Sequence, residues 1–365
     1  MNINLIGQRN IFGGGVHYSN FCDAFRKVNF IGDFVNEVEP TDSNLLALSS
    51  SSTLADVHVF FYPPQTKVNL KGFVVKWAIF ESNKLPGNYI NWLIDSHLIW
   101  APSNWAKTTL IEHGLPEDAI NVVPEGVDPT VFHPNLRNMM VKDEVFRFYF
   151  CGKKELRKGY PELLQGFKLA FDNDPSVQLI LKGDNFWSDS VKGTNKNEEL
   201  ADDIQSLDLA NVKLVSGEKS LEELVYLNSY CDSMIFPSRA EGWGLPLIEA
   251  IACGLPVIAN FYGGQTEYLD PIRENITSLD YRVQSIDCPE FKEMWGDEGE
   301  WAVAAPEVIA SALVKARQNK DLMCEKAALA SDTIRRDFSW QCAVDKAICS
   351  LRDNDRFRLK LQINI

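Results

Sequence analysis

Short apolar stretches alternate along the chain with longer stretches in which apolar residues recur every three or four positions. In the first half, the short stretches predict strands at residues 4–7, 56–62, 73–80, 98–101 and 121–123. The longer stretches predict helices at residues 16–28, 89–95 and 104–113, whereas 43–52 fits either a short helix or a serine-rich turn. Strands separated by helices predict a parallel, doubly wound sheet.

Residues 128–145 interrupt this pattern, because they contain two prolines, many polar residues and no clear period. Such a composition predicts a linker. A second series then predicts strands at residues 146–152, 177–182, 212–215, 233–236 and 256–259. It predicts helices at residues 161–171, 198–207, 221–230, 245–253, 306–318, 321–336 and 339–351. The tail 356–365 alternates polar and apolar residues and is predicted to form a strand or an extended arm.

The predicted fold class is therefore α/β, with two Rossmann-like doubly wound parallel-sheet domains facing a central cleft. A chain of 365 residues is long enough for two such domains. Ligands of these folds bind at the carboxyl ends of the strands, so we expect the ligand in the cleft between the two halves.

Composition narrows the class of protein. The net charge of −14 argues against a broad attraction to nucleic acid or anionic lipid. The eight cysteines include no C-x-x-C pair, which favours reduced thiols over a disulfide framework. The chain starts with a predicted strand instead of a basic and apolar leader, and no apolar run approaches about eighteen residues. These features predict a cytoplasmic enzyme or binding protein without a transmembrane segment.

The stretch 236–269 has the order strand, glycine-bearing turn, helix, and it holds Glu241 and Glu249 with seven residues between them. Pro246 suits the first turn of the helix and Gly254 suits its end. A helix that begins beside glycines turns bare N–H groups and a positive dipole end toward one ligand, which favours a phosphate. The two carboxylates would repel a phosphate, so we expect them to accept hydrogen bonds from sugar hydroxyls. A nucleotide sugar contains both groups.

This stretch resembles the E-x7-E signature of the family-four retaining glycosyltransferases, which have the two-domain GT-B fold. The resemblance implies that Glu241 contacts the transferred sugar and that Glu249 holds the ribose hydroxyls. The glycine turn is implied to lie against the diphosphate, through Gly242, Trp243, Gly244 and Leu245. It also implies an acceptor-binding domain at residues 1–138, a donor-binding domain at 146–338, and a C-terminal segment, 339–365, that crosses back to the first domain.

A basic segment, residues 152–159, follows the first predicted strand of the second half. It resembles the family's G-R-x4-K-G element, whose arginine and lysine bind the diphosphate. The matching positions are Lys153 and Lys158. A lysine at 153 is a point charge in place of a bidentate fork, and Arg157 is a candidate to take over part of that role.

Other positions resemble the family less specifically. The loop 12–15 is expected near the donor phosphates through Gly14 and Gly15, with His17 either reaching the cleft or packed as a structural histidine. Glu81 is a candidate for contact with the acceptor, or it braces its loop. Gly217 and Glu218 are expected beside the nucleobase. Residues 123–128 resemble the family's P-x-G-V-D turn, whose Gly126 and Asp128 are expected to shape the hinge.

No metal site is predicted. The segments 172–174 and 353–355 resemble a D-x-D metal motif but lack its strand context, and the five histidines show no ligand spacing. We therefore expect neither a metal nor a cofactor beyond the nucleoside diphosphate sugar that serves as donor substrate.

The predicted function is transfer of a sugar from a nucleoside diphosphate sugar to a hydroxyl of a saccharide-type acceptor, with retention of the anomeric configuration. Glu241, Lys153, Lys158 and Glu81 are its candidate catalytic residues. One alternative is a phage or viral type of glycosyltransferase acting on a modified DNA base, which the basic tail residues Arg356, Arg358 and Lys360 leave open. Others are an epimerase or phosphorylase on the same scaffold and a non-catalytic nucleotide-sugar-binding protein. The sequence identifies neither the base, the sugar, the acceptor nor the oligomeric state.

Overall fold

The computed structural model describes residues 2–10, 13–28, 35–50, 56–64, 70–141, 143–183, 196–295, 299–355 and 357–358. Phe12 of the predicted glycine loop and most of the predicted tail strand lie outside these residues. In the described part of the chain, no helix is both long enough and apolar enough to cross a bilayer.

The first half alternates strands and helices around one parallel sheet. Its elements are β1 (Ile3–Ile6), α1 (Gly13–Lys27), β2 (Val35–Val38), α2 (Asp42–Ser50), β3 (Val57–Phe60), β4 (Phe73–Trp77), α3 (Gly87–Ile94), β5 (Leu98–Ala101), α4 (Asn104–Glu112) and β6 (Ile120–Val122). The strands pair in the order β2-β1-β3-β4-β5-β6, and all of these pairings are parallel.

The second half begins after a short helix in the linker and repeats the scheme. Its elements are α5 (Asn135–Met139), β7 (Phe146–Cys151), α6 (Tyr160–Phe171), β8 (Val177–Lys182), α7 (Lys196–Ser206), β9 (Val212–Leu214), α8 (Leu221–Tyr230), β10 (Ser233–Phe236), α9 (Leu245–Ala252), β11 (Val257–Ala259), α10 (Thr266–Leu269), β12 (Thr277–Ser278), β13 (Arg282–Ser285), α11 (Pro289–Trp295), β14 (Glu300–Val303), α12 (Pro306–Gln318), α13 (Lys320–Asp337) and α14 (Trp340–Arg352). The parallel order is β12-β11-β10-β7-β8-β9, and β13 pairs with β14 in an antiparallel hairpin. The predicted α/β class with two doubly wound sheets is confirmed.

The predicted glycine loop at 12–15 is wrong, because α1 starts at Gly13 and its first turn contains Gly14 and Gly15. Glycine is a poor helix former, so the sequence suggested a helix that begins only at Val16. Close packing explains why glycine occupies position 15: a Cβ on Gly15 would lie 2.1 Å from Oδ1 of Asn10. Glycine is therefore required where the preceding loop crosses the first turn.

The sequence missed several elements that lack an apolar pattern. The edge strand β2 has mixed exposure, β13 is exposed along its whole length, and α5 has no buried residue. Burial alone creates the periodicity from which strands and helices are predicted, so these elements left no signal. Residues 43–50 of the ambiguous segment 43–52 lie in the helix α2, and residues 51 and 52 lie outside the described residues.

The last helix, α14, belongs to the core of the first domain. Trp340 and Leu351 pack in one buried cluster with Trp77 and Trp100 of the first sheet. The Trp100 indole N–H also donates a hydrogen bond of 2.9 Å to the Ser350 hydroxyl. The last described helix thus packs in the domain that contains β1, and the described chain crosses between the two domains twice.

These crossings meet at a tight contact. Val127 in the first crossing donates a 2.9 Å hydrogen bond to the Phe338 carbonyl, and Trp340 N–H donates one of 3.2 Å to the Val127 carbonyl. A Cβ on the neighbouring Gly126 would lie 2.5 Å from the Trp340 nitrogen and 2.7 Å from the Ser339 carbonyl carbon.

The domains also touch where the loop after β4 meets the strand β14. Asn83, after β4, and Glu300, in β14, exchange hydrogen bonds of 2.8 and 3.0 Å. Trp301 donates a 2.9 Å bond from its indole N–H to the Glu81 carbonyl. The loop that carries Glu81 is therefore held against the second domain, at the cleft where a ligand of this fold binds.

We predict that Gly126→Ala lowers the free energy of unfolding by about 1–3 kcal/mol, since the added methyl group overpacks backbone atoms that have no room to move. Gly87→Ala is the matched control: a Cβ there meets nothing within 4 Å at the start of α3. Urea unfolding followed by circular dichroism measures both variants. Equal stabilities of the two variants would contradict the tight contact at the crossing.

Candidate active site

The loop between β10 and α9 is the candidate anion site of the predicted motif. Gly244 precedes α9 with a φ of +92°, and no side-chain hydrogen bond caps the start of the helix. Gly264 supports the loop by donating a 2.7 Å hydrogen bond to the Glu241 carbonyl. A Cβ on Gly264 would lie 1.8 Å from the Gly242 oxygen, so this position excludes any side chain.

Glu241 is a buried, ionised carboxylate held by two cations. It is 4% exposed; its Oε1 lies 2.6 Å from Lys158 Nζ and its Oε2 lies 3.2 Å from Arg157 Nη1. The Ser238 hydroxyl also donates a hydrogen bond to Oε1. Burial acts to raise the pKa of Glu241, but Lys158 and Arg157 outweigh it and bring the pKa down to about 2.

Three buried polar side chains position this carboxylate from behind. The Asn260 amide donates a 2.7 Å bond to the Ser238 carbonyl, and Gln265 donates bonds of 2.6 and 2.8 Å to the backbone and side-chain oxygens of Asn260. The sequence did not single out these residues, because short polar residues in loops carry no specific pattern. Asn260 and Gln265 thus hold the backbone of Ser238, whose hydroxyl donates to Glu241.

Arg157 organises the centre of the site. Its guanidinium donates to the Ala240 carbonyl at 2.8 Å and pairs with Glu81 at 2.9 Å and Glu155 at 3.1 Å. Burial is the largest effect on Glu81 and raises its pKa, an effect to which Glu241 and Glu155 add and which Arg157 and Lys158 oppose. Arg157 thus joins the loop after β4, which carries Glu81, to the loop before α9, which carries Glu241, within one ion cluster.

Lys153 and Lys158 occupy different environments. The Lys158 side chain is buried and lies against Glu241, whereas the Lys153 side chain is 36% exposed and its Nζ lies 3.8 Å from Glu155 Oε1. Lys153 is therefore the cation that an incoming anion reaches more easily.

Glu249 lies in the second turn of α9 and has a different charge state from Glu241. No hydrogen bond or ion pair from the described residues reaches its carboxyl, and burial raises its pKa to about 8. It lines a small cavity together with Leu245, Gly126 and Trp340. One glutamate of the predicted pair is thus ionised at neutral pH, while the other is mostly protonated.

The remaining predicted residues differ in their exposure. Gly14 is exposed in the first turn of α1, and Gly217 and Glu218 are exposed after β9. Trp243 packs its ring against Tyr268 at 4.9 Å in the core, so only its backbone is available to a ligand. His17 is 1% exposed, and burial lowers its pKa to about 3.

Sequence reasoning missed Glu125, which lies in the turn 123–128 after β6. It is 4% exposed, and burial raises its pKa to about 8 with a further contribution from the charge of Glu241. An acidic residue inside the otherwise apolar and glycine-bearing stretch VPEGV was the available signal.

In the part of the chain that the structure describes, no group of three or more His, Cys, Asp or Glu side chains is arranged to hold a metal ion. Metal-independent chemistry stays a prediction.

Comparisons with known proteins match one part of the chain to a protein family. Residues 137–273 match the family described as "Glycosyl transferases group 1". The mannosylfructose-phosphate synthase of Agrobacterium fabrum is 30% identical over 169 residues, which are 42% of this chain and 35% of that protein. The D-inositol 3-phosphate glycosyltransferase of Pseudarthrobacter chlorophenolicus is 27% identical over 177 residues, which are 46% of this chain and 40% of that protein. The chain therefore spans well under half the length of these relatives.

A solved structure extends the likeness over both domains. Anabaena HepE, crystallised with UDP and glucose, superposes with a TM-score of 0.71 over 97% of this chain and 100% of its own, at 15% sequence identity. At that identity the likeness shows the fold alone. The predicted resemblance to the glycosyltransferase family is confirmed: residues 137–273 match the group 1 glycosyltransferases, and the chain has the two-domain GT-B fold.

Proposed function

We propose that this protein is a retaining glycosyltransferase that moves a sugar from a nucleoside diphosphate sugar to a hydroxyl of a saccharide-type acceptor. The observation that carries the proposal is Glu241, held ionised by Lys158 and Arg157 beside the uncapped start of α9. The arrangement sets an anion-binding helix start, two cations and a hydroxyl acceptor within one cleft.

The pyrophosphate of the donor is the part that the helix start binds. The N–H groups near Gly244 and the positive dipole end of α9 attract its charge, and the accessible Lys153 neutralises it from the other side. As the bond between sugar and phosphate stretches, negative charge grows on the departing oxygen. Cations that are already in place stabilise that charge without reorganising, which lowers the barrier.

The two glutamates bind the sugars on either side of the pyrophosphate. Glu241, ionised and fixed by Ser238, accepts hydrogen bonds from hydroxyls of the transferred sugar. Glu249 accepts hydrogen bonds from the ribose hydroxyls; because these bonds favour the ionised form, donor binding lowers its pKa and releases a proton at neutral pH.

The acceptor approaches from the first domain, past Glu81. The side chain of Glu81 is 38% exposed and is anchored by Arg157, so it offers an oxygen to an acceptor hydroxyl while its loop is held by Trp301. The departing phosphate takes the proton of the attacking hydroxyl on the same face of the sugar, which gives retention. Contact between the domains excludes water and limits hydrolysis of the donor.

The similar proteins support the proposed sugar transfer, and the cysteines support a reducing compartment. HepE was crystallised with UDP and glucose, and the names of the relatives denote synthesis or transfer of sugars. In the described residues the cysteines are thiols and not disulfides, which suits the reducing cytoplasm.

No specific observation favours a modified DNA base as acceptor. Arg358, the described member of the basic tail, lies within 3.7 Å of Asp353 and Asp355.

We predict that the transferred sugar keeps the anomeric configuration it had in the donor. A thermal-shift panel of nucleotide sugars first identifies the donor, since the bound one stabilises the folded protein by mass action. Proton NMR of the product formed with that donor then reads the anomeric coupling constant. An inverted product would contradict the same-face mechanism, and stabilisation by no nucleotide sugar would contradict the proposed function.

We predict that Glu249→Ala weakens donor binding by about 10–100-fold, the effect of losing two hydrogen bonds from ribose hydroxyls, of which at least one is to a charged group. Glu325→Ala is the control, because Glu325 is exposed on α13 and has the same change of side chain. Isothermal titration calorimetry measures both. Unchanged donor affinity in Glu249→Ala would remove the ribose role.

A further inference from the structure

Glu125 is a buried acid for which the proposed reaction has so far given no role. It lies in the turn that follows the carboxyl end of β6, where this fold places its ligands. Its side chain is 4% exposed, and no hydrogen bond from the described residues reaches its carboxyl group. Buried polar groups nearly always have partners, so an acid in this state is expected to meet one when the ligand is present.

The nearby histidine does not neutralise it as an ion pair. His17 Nδ1 lies 3.9 Å from Glu125 Oε2, beyond the range of a hydrogen bond. Aromatic rings enclose His17, with Trp77 at 4.2 Å and Phe61 at 5.1 Å between ring centroids, and this burial lowers the pKa of the imidazole to about 3. Because the pKa of Glu125 is raised to about 8, both side chains are mostly uncharged at pH 7.

Glu125 lies next to Gly126, which lines one cavity together with Leu245 and Glu249 of α9. The charge of Glu241 contributes to the raised pKa of Glu125, and the Tyr268 hydroxyl is influenced by Glu241, Glu125 and Glu249 together. That hydroxyl donates a 3.1 Å hydrogen bond to the carbonyl of Gly244, the residue that precedes α9. The three acids are thus grouped around the helix start that is proposed to bind the pyrophosphate.

The titratable groups that face Glu125 are His17 from α1, Glu241 from the loop before α9, and Tyr268 from α10. None of them is a cation at pH 7. An ionised Glu125 would therefore add uncompensated negative charge beside an anionic ligand, whereas the protonated acid offers an O–H donor. Bonds from such a donor to an anionic oxygen are among the stronger hydrogen bonds.

We propose, on the basis of the glycosyltransferase function above, that Glu125 is a further donor-binding residue whose carboxyl group donates a hydrogen bond to a phosphate oxygen of the nucleotide sugar. Glu125 and Glu241 then bind different parts of the donor, because their charge states differ. The neutral acid binds the pyrophosphate, and the carboxylate binds the sugar hydroxyls.

The experiment compares the wild type with Glu125→Gln, whose amide also donates a hydrogen bond but does not titrate. UDP-glucose, GDP-mannose and the donor found in the thermal-shift panel are the probes, and their dissociation constants are measured between pH 6.5 and 9. An acid with a raised pKa of about 8 is protonated below that pH and loses its proton above it, so binding by the wild type weakens as pH rises through 8.

At pH 6.5 the two proteins should bind the donor with affinities within about threefold. At pH 9 the wild type should have lost about tenfold in affinity relative to Glu125→Gln, because about one molecule in ten still carries the proton. Dividing the dissociation constant of the wild type by that of Glu125→Gln removes the effects of titrating Glu249 and the ligand, because both proteins share them. Glu325→Gln, with the same charge change on the exposed face of α13, should follow the wild type at every pH.

A ratio that stays constant across this range would overturn the role of Glu125 while leaving the glycosyltransferase function intact, since both proteins would still bind the donor. Absence of binding of any nucleotide sugar to the wild type would overturn the function and this role together. Should Glu125→Gln not fold, calorimetry of the wild type at pH 8.5 in two buffers of different ionisation enthalpy decides: net uptake of protons supports the role, and release alone contradicts it.

Discussion

The buried ion cluster of Glu241 with Lys158 and Arg157 is the interaction on which the site depends. Burying charges is costly, and such a cluster is tolerated only where hydrogen bonds satisfy its atoms. Here Ser238 and the Ala240 carbonyl provide those bonds. Because replacing buried ions with apolar residues often stabilises a protein, a cluster of this kind in a cleft is better explained by binding and catalysis than by stability.

The cluster also explains how two domains build one site. Arg157 follows the first strand of the second sheet, yet it pairs with Glu81 from the first domain at 2.9 Å. The reciprocal bonds between Asn83 and Glu300 hold the same loop in place. The loop that carries Glu81 is thereby positioned against the loop that carries Glu241. Glu241 differs in charge state from Glu249 and Glu125 because its surroundings differ, although the three side chains are chemically identical.

Much of the fold could be predicted from the sequence, because buried parallel strands such as β8 and β10 are continuous apolar runs bounded by turns. The helix start at Gly244 was predictable as well, since glycine and proline mark such a start locally. The elements that the sequence did not predict were either exposed, like the hairpin strand β13, or built from residues of low helix propensity, like the helical first turn at Gly13. The partners of Arg157 and the isolation of Glu125 depend on residues far apart in the chain, and no local pattern records them.

The most direct test of the central claim is a crystal structure of the protein with its nucleotide sugar donor. The account predicts the pyrophosphate against the first turn of α9, with the transferred sugar on Glu241 and the ribose on Glu249. A donor bound outside the cleft between the domains, or a complex in which these two glutamates face bulk solvent, would contradict it.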